Sequence, residues 1–257
     1  MLQYANTSVQ TGGPVTIGPG PYLINASNGN QLSLFCPSAM DLIQTSGGAN
    51  TIANQAERTA STIFMRGYSE KIRIQTSSGL PWFWRRICFR AKNGVFTTFN
   101  SVDTPSQTNG GKLSFVDTSN GMERLYFNLT INASNQTIAD IHTVIFRGEV
   151  NKDWVDPQTA VIDTTRIDLV SDRRTTIRSG NQSGTVKDTS SWFPVNKNIV
   201  YNDDESGETE DSRYLSVQNK QGAGDMFIYD LFTPGTGGTS SDLLQLTSTS
   251  TVYWHEK

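Results

Sequence analysis

From Arg58 to Arg90 the chain reads RTASTIFMRGYSEKIRIQTSSGLPWFWRRICFR, and within it the residues settle into an alternation with a period of two. Such a period suits an extended strand, because a helix returns to the same face only every three or four residues. Ile72 and Ile74 take one side and Lys71, Arg73 and Gln75 the other, so one side belongs to a core and the other to water or a ligand. After a Gly79-Leu80-Pro81 turn a second strand runs from Trp82 to Arg90. On it Phe83, Arg85, Ile87 and Phe89 share one face, and Trp82, Trp84, Arg86, Cys88 and Arg90 share the other.

Six further segments read as short strands: GMERLYFNLTI, ADIHTVIFRGEV, TAVIDTTRIDLV, SWFPVNKNIVY, GDMFIYDLF and LLQLTSTSTVYW. The 22 glycines and nine prolines, with abundant Ser and Thr, fit many turns and few long helices. Eight strands with turns between them predict an all-β, two-sheet sandwich, a single domain over residues 1–257 with long loops at 91–120 and 202–213. Residues 1–30 are polar and turn-rich, which predicts an extended N-terminal segment outside the core. One short helix is expected after Pro37. No internal repeat or linker is visible.

Several functions lack their residues. No apolar run approaches the ~18 residues of a membrane span, and the first residues carry no secretory pattern. Cys36 and Cys88 are the only cysteines and His142 and His255 the only histidines, too few for a structural zinc site. The cysteines are expected as buried thiols, and six Asn-x-Ser/Thr sequons as a by-product of composition. No phosphate-binding loop, dinucleotide fingerprint, nucleophile elbow or zinc-protease motif occurs. His142 reads as a structural histidine within an apolar strand. The expectation is a chain without catalytic residues, metal or cofactor.

Charge is uneven. Residues 66–92 hold seven basic side chains (Arg66, Lys71, Arg73, Arg85, Arg86, Arg90, Lys92) against Glu70, whereas residues 203–211 hold six acids and no base, although the net charge is only −3. A strand face mixing tryptophan with arginine suits single-stranded nucleic acid, because bases stack on aromatic rings for about 1–3 kcal/mol each while guanidiniums pair with phosphates. The same residues equally suit a core or subunit contact in which arginines lie along the rings. A second basic cluster contains Arg166, Arg173, Arg174, Arg178 and Lys187, with Asp168 and Asp172 among them. It reads either as a solvated surface or as a second phosphate-facing strip.

Five segments, in order along nearly the whole chain, resemble the capsid proteins of genomoviruses, small viruses with circular single-stranded DNA genomes: MLQYANTS, RGYSEKIRIQTSSGLPWFWRRICFR, DRRTTIRSGNQSGTVKDTSSWFPVNKNIVYNDDESG, MFIYDLF and STVYWHEK. KNIVYND is more distantly similar to geminivirus coat proteins. The resemblance implies an eight-stranded jelly-roll β-sandwich that self-assembles into a small icosahedral shell, T=1 in the simplest case, with on the order of sixty equivalent subunits around the genome. It also implies residence in the virion, assembly in the host nucleus, and an arginine-rich arm. Since the chain starts at Met1-Leu2 without such an arm, a basic segment upstream is expected.

On this reading Trp84, Arg86 and Arg90, with Lys71 and Arg73 on the neighbouring strand, contact DNA, and Arg173, Arg174 and Arg178 extend that surface. Asp203, Asp204 and Glu205 meet basic residues of a neighbouring subunit, such as Arg173 and Arg174. The rival is a carbohydrate-binding β-sandwich in which Trp82 and Trp84 stack on sugar rings. A sandwich glycosidase would need two carboxylates across a cleft, an arrangement no strand here displays.

Overall fold

The structure, a computed structural model, describes residues 1–42, 57–207 and 209–256. In chain order the strands are β1 (Gln3–Thr7), β2 (Pro14–Pro19), β3 (Tyr22–Asn25), β4 (Gln31–Phe35), β5 (Thr62–Thr76), β6 (Trp82–Ala91), β7 (Val116–Thr118) and β8 (Gly121–Tyr126). After helix α1 (Asn135–Ile145) come β9 (Asp168–Ile177), β10 (Val186–Val200), β11 (Asp204–Ser206), β12 (Thr209–Asp211), β13 (Asp225–Pro234) and β14 (Leu243–His255). Sheet I has the order β3-β14-β5-β10 and sheet II the order β4-β13-β6-β9; all their internal pairings are antiparallel. The two pack face to face as a β-sandwich. Sheet III, β2-β1-β8-β7, contains a parallel pairing of β1 with β8.

The inner face of sheet I follows from the alternation in β5: Ile63, Met65, Tyr68, Ile72 and Ile74 are buried. They meet the inner face of β6 and β13, where Trp84 pairs with Phe232 and Cys88 with Ile228. Sheet II is buried on its other side as well. Phe89 and Phe227 pack with Phe96, and Tyr229 receives His142 and Phe146 from in and beyond α1. Of β6, only Phe83 is exposed. Both cysteines are free and buried.

Four charged side chains join the sheets. Glu70 on β5, Arg86 on β6, Arg124 on β8 and Asp230 on β13 are all buried. Arg124 Nε donates to Glu70 Oε1 at 2.8 Å and its Nη2 to Asp230 Oδ2 at 3.0 Å. Arg86 pairs with Glu70, and its Nε lies 2.9 Å from Asp230 Oδ1. Tyr126 donates its hydroxyl to Glu70 at 3.1 Å, and Trp84 Nε1 donates to Asp230 at 2.9 Å. Two cations balance two anions, and the Arg124 guanidinium also lies 3.7 Å from the centre of the Tyr126 ring. Burial alone would push the Glu70 pKa up, but Arg124 and Arg86 outweigh it and hold the carboxyl at about 2.

Four expectations are corrected. Residues 1–30 are not an outlying arm: Ala5, Tyr22 and Ile24 are buried, β1 is central in sheet III, and the Gln3 side chain bonds to β14 at Leu246 and Ser248. ADIHTVI is not a strand but most of α1, which buries Thr137, Ile141 and Ile145 at a spacing of four. Its amino end is capped from a distant loop, since Asp103 accepts from the Gln136 and Thr137 backbone at 2.9 and 2.7 Å. The helix expected after Pro37 does not form over 38–42, and residues 43 and 44 lie outside the described residues. In TAVIDTTRIDLV the strand starts only at Asp168. Three sequon asparagines, Asn6, Asn128 and Asn132, are fully buried in hydrogen bonds.

Glu70→Gln leaves two buried guanidiniums with one carboxylate and is expected to cost about 3–5 kcal/mol. A carboxylate with a depressed folded pKa contributes stability above its unfolded pKa of ~4.3 and loses it as pH falls through its folded value. The wild-type advantage over Glu70→Gln in urea unfolding is therefore expected to be full at pH 6 and to shrink toward pH 2. A constant difference across that range would contradict the ionised network.

Candidate nucleic-acid interface

Six expected site residues lie on β6, β9 or just beyond, and their fates diverge. Trp84 and Arg86 point between the sheets, into the charge network, so neither lies on an outer face where a base could stack. Arg90 is buried against Asp168 on the adjacent strand. Arg85, on the opposite face, pairs with Asp172 at 2.8 Å and donates to the Pro157 and Ala160 carbonyls. The strand WFWRRICFR is thus a doubly covered core strand whose arginines each find an internal carboxylate. Trp82 and Trp84 are equally closed to a sugar ring, being 0% and 5% exposed.

Arg173, Arg174 and Arg178 are exposed on or just past the edge strand β9. Arg174 is tied to the Gln158 carbonyl at 2.7 Å and to Asp172 at 3.5 Å, whereas Arg173 and Arg178 form no ion pair among the described residues. Asp203 is not available to a neighbouring subunit. It makes a two-pronged pair with buried Arg58 and accepts from the Arg213 backbone at 2.8 Å. Burial raises the Asp203 pKa, and the hydrogen bonds and charge of Arg58 more than reverse it. Asp204 and Glu205 are exposed on the short β11–β12 hairpin.

Lys71 and Arg73 do project outward, from the middle of sheet I. The register sets Arg73 between Asp188 and Thr247, Lys71 between Ser190 and Thr249, and Ser69 between Trp192 and Thr251. A shallow groove of about 480 Å³ follows Lys71, Arg73, Ser190, Thr247 and Thr249. A second, of about 370 Å³, is lined by Arg66, Trp192, Tyr253, Trp254 and His255. Arg73 is paired with Asp188 at 2.9 Å in an exposed contact worth little; Lys71 and Arg66 form no ion pair among the described residues.

Trp192 and Tyr253, 48% and 47% exposed, meet edge to face at 5.5 Å over Gly67. A Cβ at Gly67 would lie 2.8 Å from the Trp192 ring and 2.4 Å from the Phe193 carbonyl oxygen, so only glycine lets the ring lie this flat on the sheet. The sequence did contain a signal for these aromatics. In SWFPV and STVYW the buried Phe193, Val195 and Val252 fix the phase, and Trp192 and Tyr253 must then face outward. The outer face of sheet I therefore combines cations, hydroxyls and exposed rings, the chemistry that grips a single strand by stacking and phosphate pairing.

His142 is part of no such surface. It is half-buried, bonded to the Tyr229 hydroxyl at 2.9 Å, and desolvation lowers its pKa to about 4. Compared with protein-family models and with curated proteins, the chain matches none.

Asp203→Ala strands the buried Arg58 guanidinium and is expected to cost about 3–5 kcal/mol. Asp204→Lys, on the exposed hairpin, is expected to stay within about 0.5 kcal/mol of wild type. Urea unfolding of the two variants checks this contrast, and equal effects would contradict it.

Proposed function

We propose that this chain is a capsid subunit which self-assembles into a small icosahedral shell around circular single-stranded DNA, as in the genomoviruses its sequence resembles. The observation that carries the reading is the strand order. Numbering only the eight strands of sheets I and II along the chain, sheet I runs first, eighth, third, sixth and sheet II second, seventh, fourth, fifth. That order supports reading the sandwich as the double Greek key of a jelly roll, a fold used by viral capsids and lectins. Because one fold hosts many functions, the site must decide between them. The site favours DNA: Lys71, Arg73 and Arg66 share an open face with Trp192 and Tyr253.

On this proposal the outer face of sheet I turns toward the genome, with Arg178 as a further phosphate contact. Arg86, Arg90 and Trp84 take no part in that outer face. Asp204 and Glu205 remain candidates for a neighbour's basic residues. Recognition is indifferent to base sequence, since stacking and phosphate contacts carry little sequence information.

Negative-stain microscopy with the absorbance ratio at 260 and 280 nm tests this. Wild type is expected as uniform small particles containing DNA. Lys71→Gln with Trp192→Ala is expected to form the same particles with a lower ratio. In filter binding of oligo-dT, Lys71→Gln is expected to reduce the slope of log K against log salt by about 0.7. A monomer that binds glycans and no DNA would replace this reading with the sugar-binding sandwich.

A further inference from the structure

At the free edges of the sandwich, β9 of sheet II faces β10 of sheet I. Inward-facing positions there would ordinarily be apolar, yet the register assigns them otherwise. Arg173 and Thr175 lie opposite Arg86 and Trp84, and so share their inner face. Lys187 and Ser191 lie opposite Ile74 and Glu70, and share the inner face of sheet I. Together these side chains line a narrow crevice of about 50 Å³, with no carboxylate among the lining residues.

Its innermost cation is Arg86, only 4% exposed. Its Nη2 donates to Glu70 and Asp230, and its Nε forms an ion pair with Asp230 without the alignment of a hydrogen bond. Nη1, at the other corner, is buried and donates to no acceptor among the described residues. A buried charged donor left unpaired is costly, so an acceptor belongs beside it. At the rim, Arg173 and Lys187 form no ion pair among the described residues. Three cations, the three hydroxyls of Thr175, Thr189 and Ser191, and room for little more than one or two waters define the occupant by size and sign.

We infer that this crevice binds a single phosphate group, with the Arg86 Nη1 at its floor, Arg173 and Lys187 at its rim, and the Thr175 and Ser191 hydroxyls at its sides. The space excludes a base or a sugar ring, so only the phosphate itself enters. The site is separate from the outer face of sheet I and does not depend on shell formation.

The test is thermal unfolding of the purified chain at pH 7 in inorganic phosphate against chloride at equal ionic strength, paired with 31P line broadening. Phosphate at tenfold its dissociation constant is expected to raise Tm by roughly 3–6 °C. Arg173→Gln with Lys187→Gln, both exposed, is expected to keep the wild-type Tm in chloride and lose the increment. Lys71→Gln, outside the crevice, is expected to retain it. Absence of the increment in wild type, or an equal one in the double variant, overturns the site. Oligo-dT that reverses the 31P broadening makes a backbone phosphate the occupant, and oligo-dT that leaves it unchanged makes free phosphate the occupant; both support the site. A chain that packages DNA but shows no phosphate increment loses this inference and keeps the capsid reading.

Discussion

The buried quartet of Glu70, Arg86, Arg124 and Asp230 is the contact on which the arrangement of the three sheets depends. Its members come from β5, β6, β8 and β13, so it forms only when sheets I, II and III are all in register. Apolar packing between β-sheets tolerates small slips, but a slip of one residue turns a strand's side chains to the other face. Here such a slip would leave an unpaired charge in the core, at a cost of several kcal/mol. We regard the quartet as a device for selecting one register more than as a source of net stability, since well-packed apolar groups can replace buried ion pairs with little loss.

That demand explains where the basic residues went. The surplus of cations at residues 66–92 looks like a binding stretch when only that stretch is considered. Its partners lie elsewhere in the chain: Asp230 for Arg86, Asp168 for Arg90 and Asp172 for Arg85, with only Glu70 nearby. Local charge density therefore overstated the exposed charge. What remains fully exposed is Arg66, Lys71 and Arg73, of which Lys71 and Arg73 are marked as outward by their alternation with buried Ile72 and Ile74.

The same distinction separates what could be read in the sequence from what could not. Strands β5, β6, β10, β13 and β14 were legible because each holds a local period of two or a sustained apolar run. The face of β6 was not, because a strand covered on both sides loses the contrast between wet and dry positions. The N-terminal strands were missed because β1 is secured by a parallel partner at residues 124–126, far along the chain. Helix α1 was hidden for a related reason: its capping carboxylate, Asp103, is more than thirty residues upstream. Trp192 and Tyr253 are readable from phase alone, since buried Phe193 and Val252 beside them set which positions face outward.

Strand β10 now carries the functional argument on both of its faces. Asp188, Ser190 and Trp192 face outward beside Arg73, Lys71 and Ser69, while Lys187, Ser191 and Phe193 face inward toward Arg86 and the crevice. A strand is only one backbone thick, so a shift in it would move both surfaces together. Phe193 stacks with Tyr68 at 6.5 Å and receives the Arg86 guanidinium at 5.7 Å, which fixes β10 to the core from within. An anion seated against Arg86 would brace that side of β10 and so stiffen the platform under Trp192. The edge of the sandwich and its open face are thereby two readings of one strand, and the buried quartet sets the position of both.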